Sequence, residues 1–380
     1  LVTADQLRRT PPGGIGTYIR GLLQGFRALA DEQAPADVAR TRTPDDRPII
    51  ELVAGRAPGS RSAAVDPLSS LGYPLHSSRL PGRVLTKAWD YGIVRAPTGF
   101  DVIHATSLST PEPGSSAMVV TVHDLLWRRI PDAFPSHGRA WHEAALRRAM
   151  NRADRFVVPA QITADELADA GAPSEAIAVI PMGSNHLPPP DLDEAASHLS
   201  RLGAEGPFLL SVGTLEPRKN QARLVEAYRQ IRNALPEPWP LVLVGPSGWG
   251  EKLKPVAGVI LAGPVSASEL SALYAMARLL VYVPLVEGFG IPPVEAMTQG
   301  TPVVASPLPS TAGSALEVDP MDTDSIAQGI LSAATDEGLR SRLQALGLQR
   351  STELRWDRIA REHVAVWKLA LESARRPVRG

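Results

Sequence analysis

Short apolar runs alternate with helical patterns along most of the chain, and the alternation comes in two sets. The first set has runs at 48–53, 101–104, 117–122, 155–158 and 177–180. The second has runs at 207–212, 240–244, 258–262, 279–283 and 302–305. Several are continuous rather than alternating, which is the pattern of strands covered on both faces. Helical patterns lie between them, at about 17–29, 139–150, 220–234, 267–277, 292–299 and 323–334. Repeated strand–helix–strand order favours parallel sheets with right-handed crossovers. Two sets predict two doubly wound α/β domains, and 380 residues is the length such a pair needs. The break is expected at Leu187-Pro188-Pro189-Pro190-Asp191, because three prolines continue neither helix nor central strand. That gives domains at 1–187 and 188–355. A last helix places Trp356, Ile359, Ala360, His363, Trp367 and Ala370 on one stripe, so segment 356–380 should dock on something large. Residues 35–80, rich in Ala, Pro, Arg and Ser, are the least readable stretch.

Charge narrows the partners. Lys plus Arg is 39 and Asp plus Glu is 40, so the excess positive charge of a nucleic-acid binder is missing and no nucleic acid is expected. There is no cysteine, which removes disulfides, thiol catalysis and Cys-ligated metals. No apolar run approaches the roughly 18 residues of a membrane span. The opening Leu1-Val2-Thr3-Ala4-Asp5 lacks Met and does not read as a signal peptide. The expectation is a cytoplasmic protein. Its five lysines, against 34 arginines, make a lysine in a suggestive setting more informative than usual.

The strongest motif is Glu287-Gly288-Phe289-Gly290-Ile291-Pro292-Pro293-Val294-Glu295, which follows a buried strand and opens a helix. Gly288 and Gly290 let the backbone approach a ligand, and the prolines suit a first helical turn. Free amides and the helix dipole there favour a phosphate. Glu287 in the loop and Glu295 in the helix are placed to reach opposite ends of an extended ligand. A plain Gly-Pro turn with two solvated glutamates is the alternative for a generic Gly-x-Gly, but the whole nonapeptide favours a ligand. The second motif, Val212-Gly213-Thr214-Leu215-Glu216-Pro217-Arg218-Lys219-Asn220, also follows a strand. Asn220 is placed to N-cap the next helix. Arg218 and Lys219 put two cations at the carboxyl edge of a parallel sheet, where doubly wound folds bind ligands. A departing diphosphate is the natural partner for them.

Two weaker motifs complete the pattern. Pro12-Gly13-Gly14-Ile15-Gly16-Thr17-Tyr18 reads as a glycine loop before a helix, and it fits neither a Walker A loop nor a dinucleotide fingerprint. Thr121-Val122-His123-Asp124 ends a strand with a His that can bond a sugar hydroxyl or a phosphate, although a strand-end His is more often structural. His104 is a similar case. No His pair has zinc spacing and no Gly-x-Ser-x-Gly elbow is present.

In this order, the Glu-(seven residues)-Glu element, the Arg-Lys loop, the Gly-Gly loop and the Val-His-Asp strand end resemble the family-4 retaining glycosyltransferases, glycosyl transferases group 1, of the GT-B fold. The likeness covers most of the chain. It implies two Rossmann-like doubly wound domains facing a cleft, with the last helix crossing back to the first domain. It also implies a nucleotide-diphosphate sugar as donor, a hydroxyl-bearing acceptor (glycan, glycolipid or small molecule), no cofactor and no metal. His123 would contact the donor sugar and Arg218 and Lys219 would neutralise the diphosphate. Glu287 would lie beside the sugar hydroxyls, with the amides of Gly288, Phe289 and Gly290 close by. Glu295 would hold the ribose, Val265 would lie by the nucleobase, and Gly13 and Gly14 would border diphosphate and acceptor.

The sequence departs from the family in three places. Thr214 stands where many members have Arg, Ser310 stands where many have Glu, and the first strand has only Leu1-Val2-Thr3-Ala4 to build it. If that strand were missing, the first sheet would be destabilised. GDP-mannose is slightly favoured over a UDP-sugar. A sugar-nucleotide epimerase or phosphorylase on the same scaffold, or a non-catalytic sugar-nucleotide-binding protein, are the alternatives. The helix carrying Arg139, Arg147 and Arg148 is a candidate for contact with the inner membrane face, against the plainer reading of a solvated helix.

Overall fold

The computed structural model describes residues 1–9, 12–32, 48–57, 66–204, 206–235, 239–250 and 253–374. Much of the stretch 35–80, and the end of segment 356–380, lies outside them. The chain forms two compact units, one of Leu1–Met182 with Trp356–Gly380 and one of Gly183–Arg355. The division therefore precedes the three prolines, whereas the sequence placed it after residue 187.

In the first unit the strands are β1 (Val2–Thr3), β2 (Leu52–Arg56), β3 (Leu75–Pro81), β4 (Val102–Ala105), β5 (Ala117–Thr121), β6 (Arg155–Val158) and β7 (Ile177–Val179). The helices are α1 (Gly13–Glu32), α2 (Gly82–Asp90), α3 (Leu126–Arg129), α4 (Ser136–Arg152) and α5 (Gln161–Asp169). The sheet order is β3-β2-β1-β4-β5-β6-β7 and every pairing is parallel. The short first strand is present. Val2 pairs with both Leu52 and His104, so the sheet is continuous through it. Thr3 and Thr106 extend that junction, with the Thr106 hydroxyl donating to the Thr3 carbonyl at 2.7 Å and the Thr106 amide donating to Thr3 Oγ1 at 2.9 Å. Central β5 is buried at all five positions, which is why it reads as an unbroken apolar run. Edge strand β3 is half exposed and carries His, Ser and Arg, so neither it nor α2 was legible.

In the second unit the strands are β8 (Leu209–Val212), β9 (Leu241–Val244), β10 (Val259–Gly263), β11 (Leu279–Tyr282), β12 (Val303–Ala305) and β13 (Leu316–Glu317). The helices are α6 (Leu192–Arg201), α7 (Gln221–Ile231), α8 (Ala267–Met276), α9 (Ile291–Thr298), α10 (Thr323–Thr335) and α11 (Glu337–Glu353). The sheet order is β10-β9-β8-β11-β12-β13, again all parallel. Strand order reverses between β8 and β11, which makes their carboxyl ends the switch point of this sheet. Side-chain caps fix several helix starts. Asp191, Ser266, Asp322 and Asp336 each accept from an amide in the first turn of α6, α8, α10 and α11.

The last helix, α12 (Trp356–Ala374), packs on α1 in the first unit. Gly21 and Gly25 of α1 make the approach possible. A Cβ on Gly21 would fall 2.0 Å from Trp356 Cε2, and one on Gly25 would fall 2.2 Å from the Trp356 carbonyl oxygen. Trp356 is buried, and the Trp367 ring lies 5.0 Å from that of Phe26. Truncating a fully buried Trp of this kind costs about 3–5 kcal/mol.

Candidate active site

The Arg218–Lys219 pair sits in a short turn, Pro217–Lys219, after β8, and Glu287 follows the neighbouring β11. The fold brings these residues, distant in sequence, together at the switch point of the second sheet. Arg218 Nη1 lies 2.9 Å from Glu287 Oε1, and Lys219 Nζ donates to the same oxygen. The Tyr282 hydroxyl donates to Oε1 as well, at 2.9 Å, and accepts from Lys219 Nζ at 2.8 Å. Arg218 Nη2 also bonds Glu216 Oε1 at 2.5 Å. Two cations and two carboxylates therefore balance. Among the described residues no group bonds Glu287 Oε2, and that atom is not sealed from solvent. Burial pushes the Glu287 carboxyl up, but Lys219 and Arg218 outweigh it and hold it below its usual range. Burial, then Glu287, pushes Tyr282 well above its usual range, so its hydroxyl stays a donor.

Asn220 occupies the N-cap position of α7, but its side chain does not cap. Its backbone is left-handed, with φ 61°, and its Nδ2 donates to the carbonyls of Val283 and Pro320 at 3.0 and 2.7 Å. It ties the turn bearing Arg218 and Lys219 to the end of β11. The loop after Glu287 is buried through Gly288, Phe289 and Gly290. Gly290 has φ 91°, and a Cβ there would lie 3.1 Å from Ser310 Oγ, a buried hydroxyl with no partner.

Glu295, in α9, belongs to a second hydrogen-bonded cluster. Its Oε1 bonds His186 Nε2 at 2.8 Å and its Oε2 accepts from the Tyr274 hydroxyl at 2.7 Å. Burial, then Glu295, raises Tyr274 well above its usual range. Val265 is half-buried just before the α8 cap. Tyr282, Tyr274, His186 and Glu216 were not singled out in the sequence. Tyr282 had one signal, a polar end on an otherwise apolar strand.

In the first unit, helix α1 begins at Gly13, four residues before the predicted start. The Gly13–Gly14 pair thus lies in the first helical turn rather than in a loop, and the Pro12 carbonyl just before it accepts from the Gly16 amide. Both glycines are exposed, and Gly13 has φ 64°. His123 Nε2 bonds the Thr106 carbonyl at 2.9 Å. A carbonyl only accepts, so Nε2 carries the proton and Nδ1 is an acceptor, buried and without a partner. Burial lowers the His123 pKa despite the Thr106 carbonyl and Asp124. The ring is therefore neutral and suited to accept from a hydroxyl rather than to donate to a phosphate. His104 is fully buried and bonds Thr121 Oγ1 at 2.8 Å, a structural placement.

Residues 12–186 match Glycosyltransferase Family 4 and residues 199–349 match Glycosyl transferases group 1. The chain is 30% identical over 267 residues to O-antigen chain mannosyltransferase B of Escherichia coli, covering 66% of this chain and 70% of that protein. The chain belongs to glycosyltransferase family 4. This glycosyltransferase is also 28% identical over 303 residues to the GDP-mannose-dependent alpha-(1-6)-phosphatidylinositol monomannoside mannosyltransferase of Mycolicibacterium smegmatis, over 64% of this chain and 77% of that one. It spans only 23% of the length of an Escherichia coli serotype-specific mannosyltransferase, WbdA, that it also matches. Among solved structures, Anabaena HepE in complex with UDP and glucose superposes with a TM-score of 0.68 at 18% identity, over 97% of this chain and 98% of that one. The fold is GT-B. Among the described residues no helix is long and apolar enough to cross a membrane, and no cluster of three His, Asp or Glu is placed to hold a metal ion.

Proposed function

We propose that this glycosyltransferase moves a hexose from a nucleotide-diphosphate sugar to an acceptor hydroxyl, with retention at the anomeric carbon and without a bound metal. The observation that carries the reading is the pairing of Arg218 and Lys219 with Glu287 at the switch point of the second sheet. The bond from the anomeric carbon to the phosphate oxygen breaks, and the bond to the acceptor oxygen forms on the same face. The acceptor proton passes to the departing phosphate oxygen. Arg218 and Lys219 stabilise the charge that grows on the diphosphate, the work a metal does elsewhere. Glu287 Oε2 accepts from sugar hydroxyls, and the amides of Gly288, Phe289 and Gly290 line the phosphate side. Each oxygen of Glu295 already accepts one donor and keeps a lone pair for a ribose hydroxyl. For Val265, His123, Gly13 and Gly14 we keep the base, sugar and acceptor contacts that the family resemblance implies.

GDP-mannose is the favoured donor, supported by the mannosyltransferases among the relatives. For a cytoplasmic enzyme acting at the inner membrane face, α4 offers exposed Trp141 and Arg147, while Arg148 is paired with Asp90 at 2.7 Å. The test is release of nucleoside diphosphate from GDP-mannose and UDP-glucose in the presence of EDTA, with the product anomer read by NMR. Lys219→Ala and Glu287→Ala should each lower turnover by orders of magnitude while remaining folded. Turnover like the wild type in either variant refutes the assignments. An inverted product refutes retention, and loss of activity in EDTA refutes metal independence.

A further inference from the structure

Glu287 Oε1 accepts hydrogen bonds from Lys219 and Tyr282 and is ion-paired with Arg218, while Oε2 has no partner among the described residues. The three partners are not equivalent. Arg218 and Lys219 are cations on long side chains, and a diphosphate with two or more negative charges attracts both more strongly than one carboxylate does. Tyr282 is neutral, and its ring is buried at the end of a central strand, so it cannot follow them. A partly buried carboxylate that lost every donor at once would be costly to keep in place.

Resting on the donor site proposed above, we propose that Tyr282 is a positioning residue. It holds Glu287 in place when a diphosphate draws Arg218 and Lys219 away, and so couples diphosphate occupancy to recognition of the sugar. In the ligand-free protein Glu287 is bound into the ion-pair cluster. Once the diphosphate is seated, Tyr282 keeps Oε1 fixed and Oε2 turned to the sugar hydroxyls. Free hexose should therefore bind weakly by itself and better beside a nucleoside diphosphate. Linkage requires the effect to be reciprocal.

The test is calorimetry on the wild type and Tyr282→Phe, using GDP with mannose and UDP with glucose. In the wild type, hexose should bind at least tenfold tighter with saturating nucleoside diphosphate than without. In Tyr282→Phe, nucleoside diphosphate affinity should stay within about threefold of the wild type while that enhancement falls at least tenfold. Combining Tyr282→Phe with Glu287→Gln should leave hexose affinity where Glu287→Gln alone puts it. An undiminished enhancement in Tyr282→Phe overturns the proposal, as does equal loss of diphosphate affinity and enhancement. If the wild type binds no nucleoside diphosphate, the donor-site reading fails. The melting temperatures of the same four proteins without ligand then decide the positioning role separately, and additive shifts from Tyr282→Phe and Glu287→Gln overturn it.

Discussion

Lowering the pH should loosen the first unit through the buried histidines under α12. His363 Nδ1 bonds the Ile359 carbonyl at 2.8 Å, so Nδ1 carries the proton and Nε2 must accept. The Tyr18 hydroxyl donates to that Nε2 at 2.7 Å. Tyr18 then accepts from Thr121 at 2.9 Å, and Thr121 accepts from His104 Nε2 at 2.8 Å. One carbonyl thus fixes the direction of a chain linking α12, α1, β5 and β4. A proton added at His363 Nε2 would turn that atom into a donor and break the bond it accepts from Tyr18. Burial holds His363 at about 4, against an ordinary 6.5. Burial, then His363, also lowers His104, and His123 beside Asp124 is lowered as well.

Between pH 6.5 and 4 the unfolded chain takes protons that the native His363 refuses, so stability falls as pH falls. From His363 alone about 2 kcal/mol is lost by pH 5 and about 3 kcal/mol once pH is below both values. Domains are stable by only about 5–15 kcal/mol, so the loss is measurable. Urea unfolding followed by tryptophan fluorescence from pH 7.5 to 4.5 reads it. The slope of stability against pH should be smaller in His363→Gln by about 1 kcal/mol per pH unit near pH 5–6. Equal slopes in the two proteins would refute the reasoning.

Further outcomes follow from the same geometry. Gly21→Val places a side chain where Trp356 sits and should lower stability by about 3 kcal/mol in urea unfolding; a wild-type midpoint would contradict the packing of α12. Asp336→Ala removes the acceptor for the Leu339 amide at the start of α11 and should cost about 1 kcal/mol, with nucleotide binding unchanged by calorimetry. Tyr274→Phe removes a donor to Glu295 and should weaken nucleoside diphosphate binding by roughly tenfold. The corresponding 2′,3′-dideoxynucleotide should show a smaller loss, which separates a ribose effect from general damage.

The sequence showed strands such as β5, β9 and β11 because each is buried on both faces and therefore runs apolar without interruption. β3 and two-residue β13 lie at sheet edges, where burial does not impose such a pattern. Arg218, Lys219, Glu287 and Glu295 were legible in the sequence as motif residues. Their ion pairing was not, because 68 residues separate Lys219 from Glu287 and no local spacing reports a contact made across a sheet. Tyr282 was hidden in an apolar run and His186 in a proline-rich one, since a buried partner has no periodic signature. Asn220 was placed correctly and given the wrong bond, because the left-handed backbone that aims its side chain at Val283 and Pro320 cannot be read from residue type.

The most direct test of the central claim, that Arg218 and Lys219 form a diphosphate site, is calorimetric titration of UDP, GDP, ADP and dTDP into the wild type and Lys219→Ala, with no metal added. The account predicts that one diphosphate, GDP first among them, binds far better than the rest and loses at least tenfold in the variant. Equal affinity in the variant, or no binding of any diphosphate to the folded wild type, would contradict it.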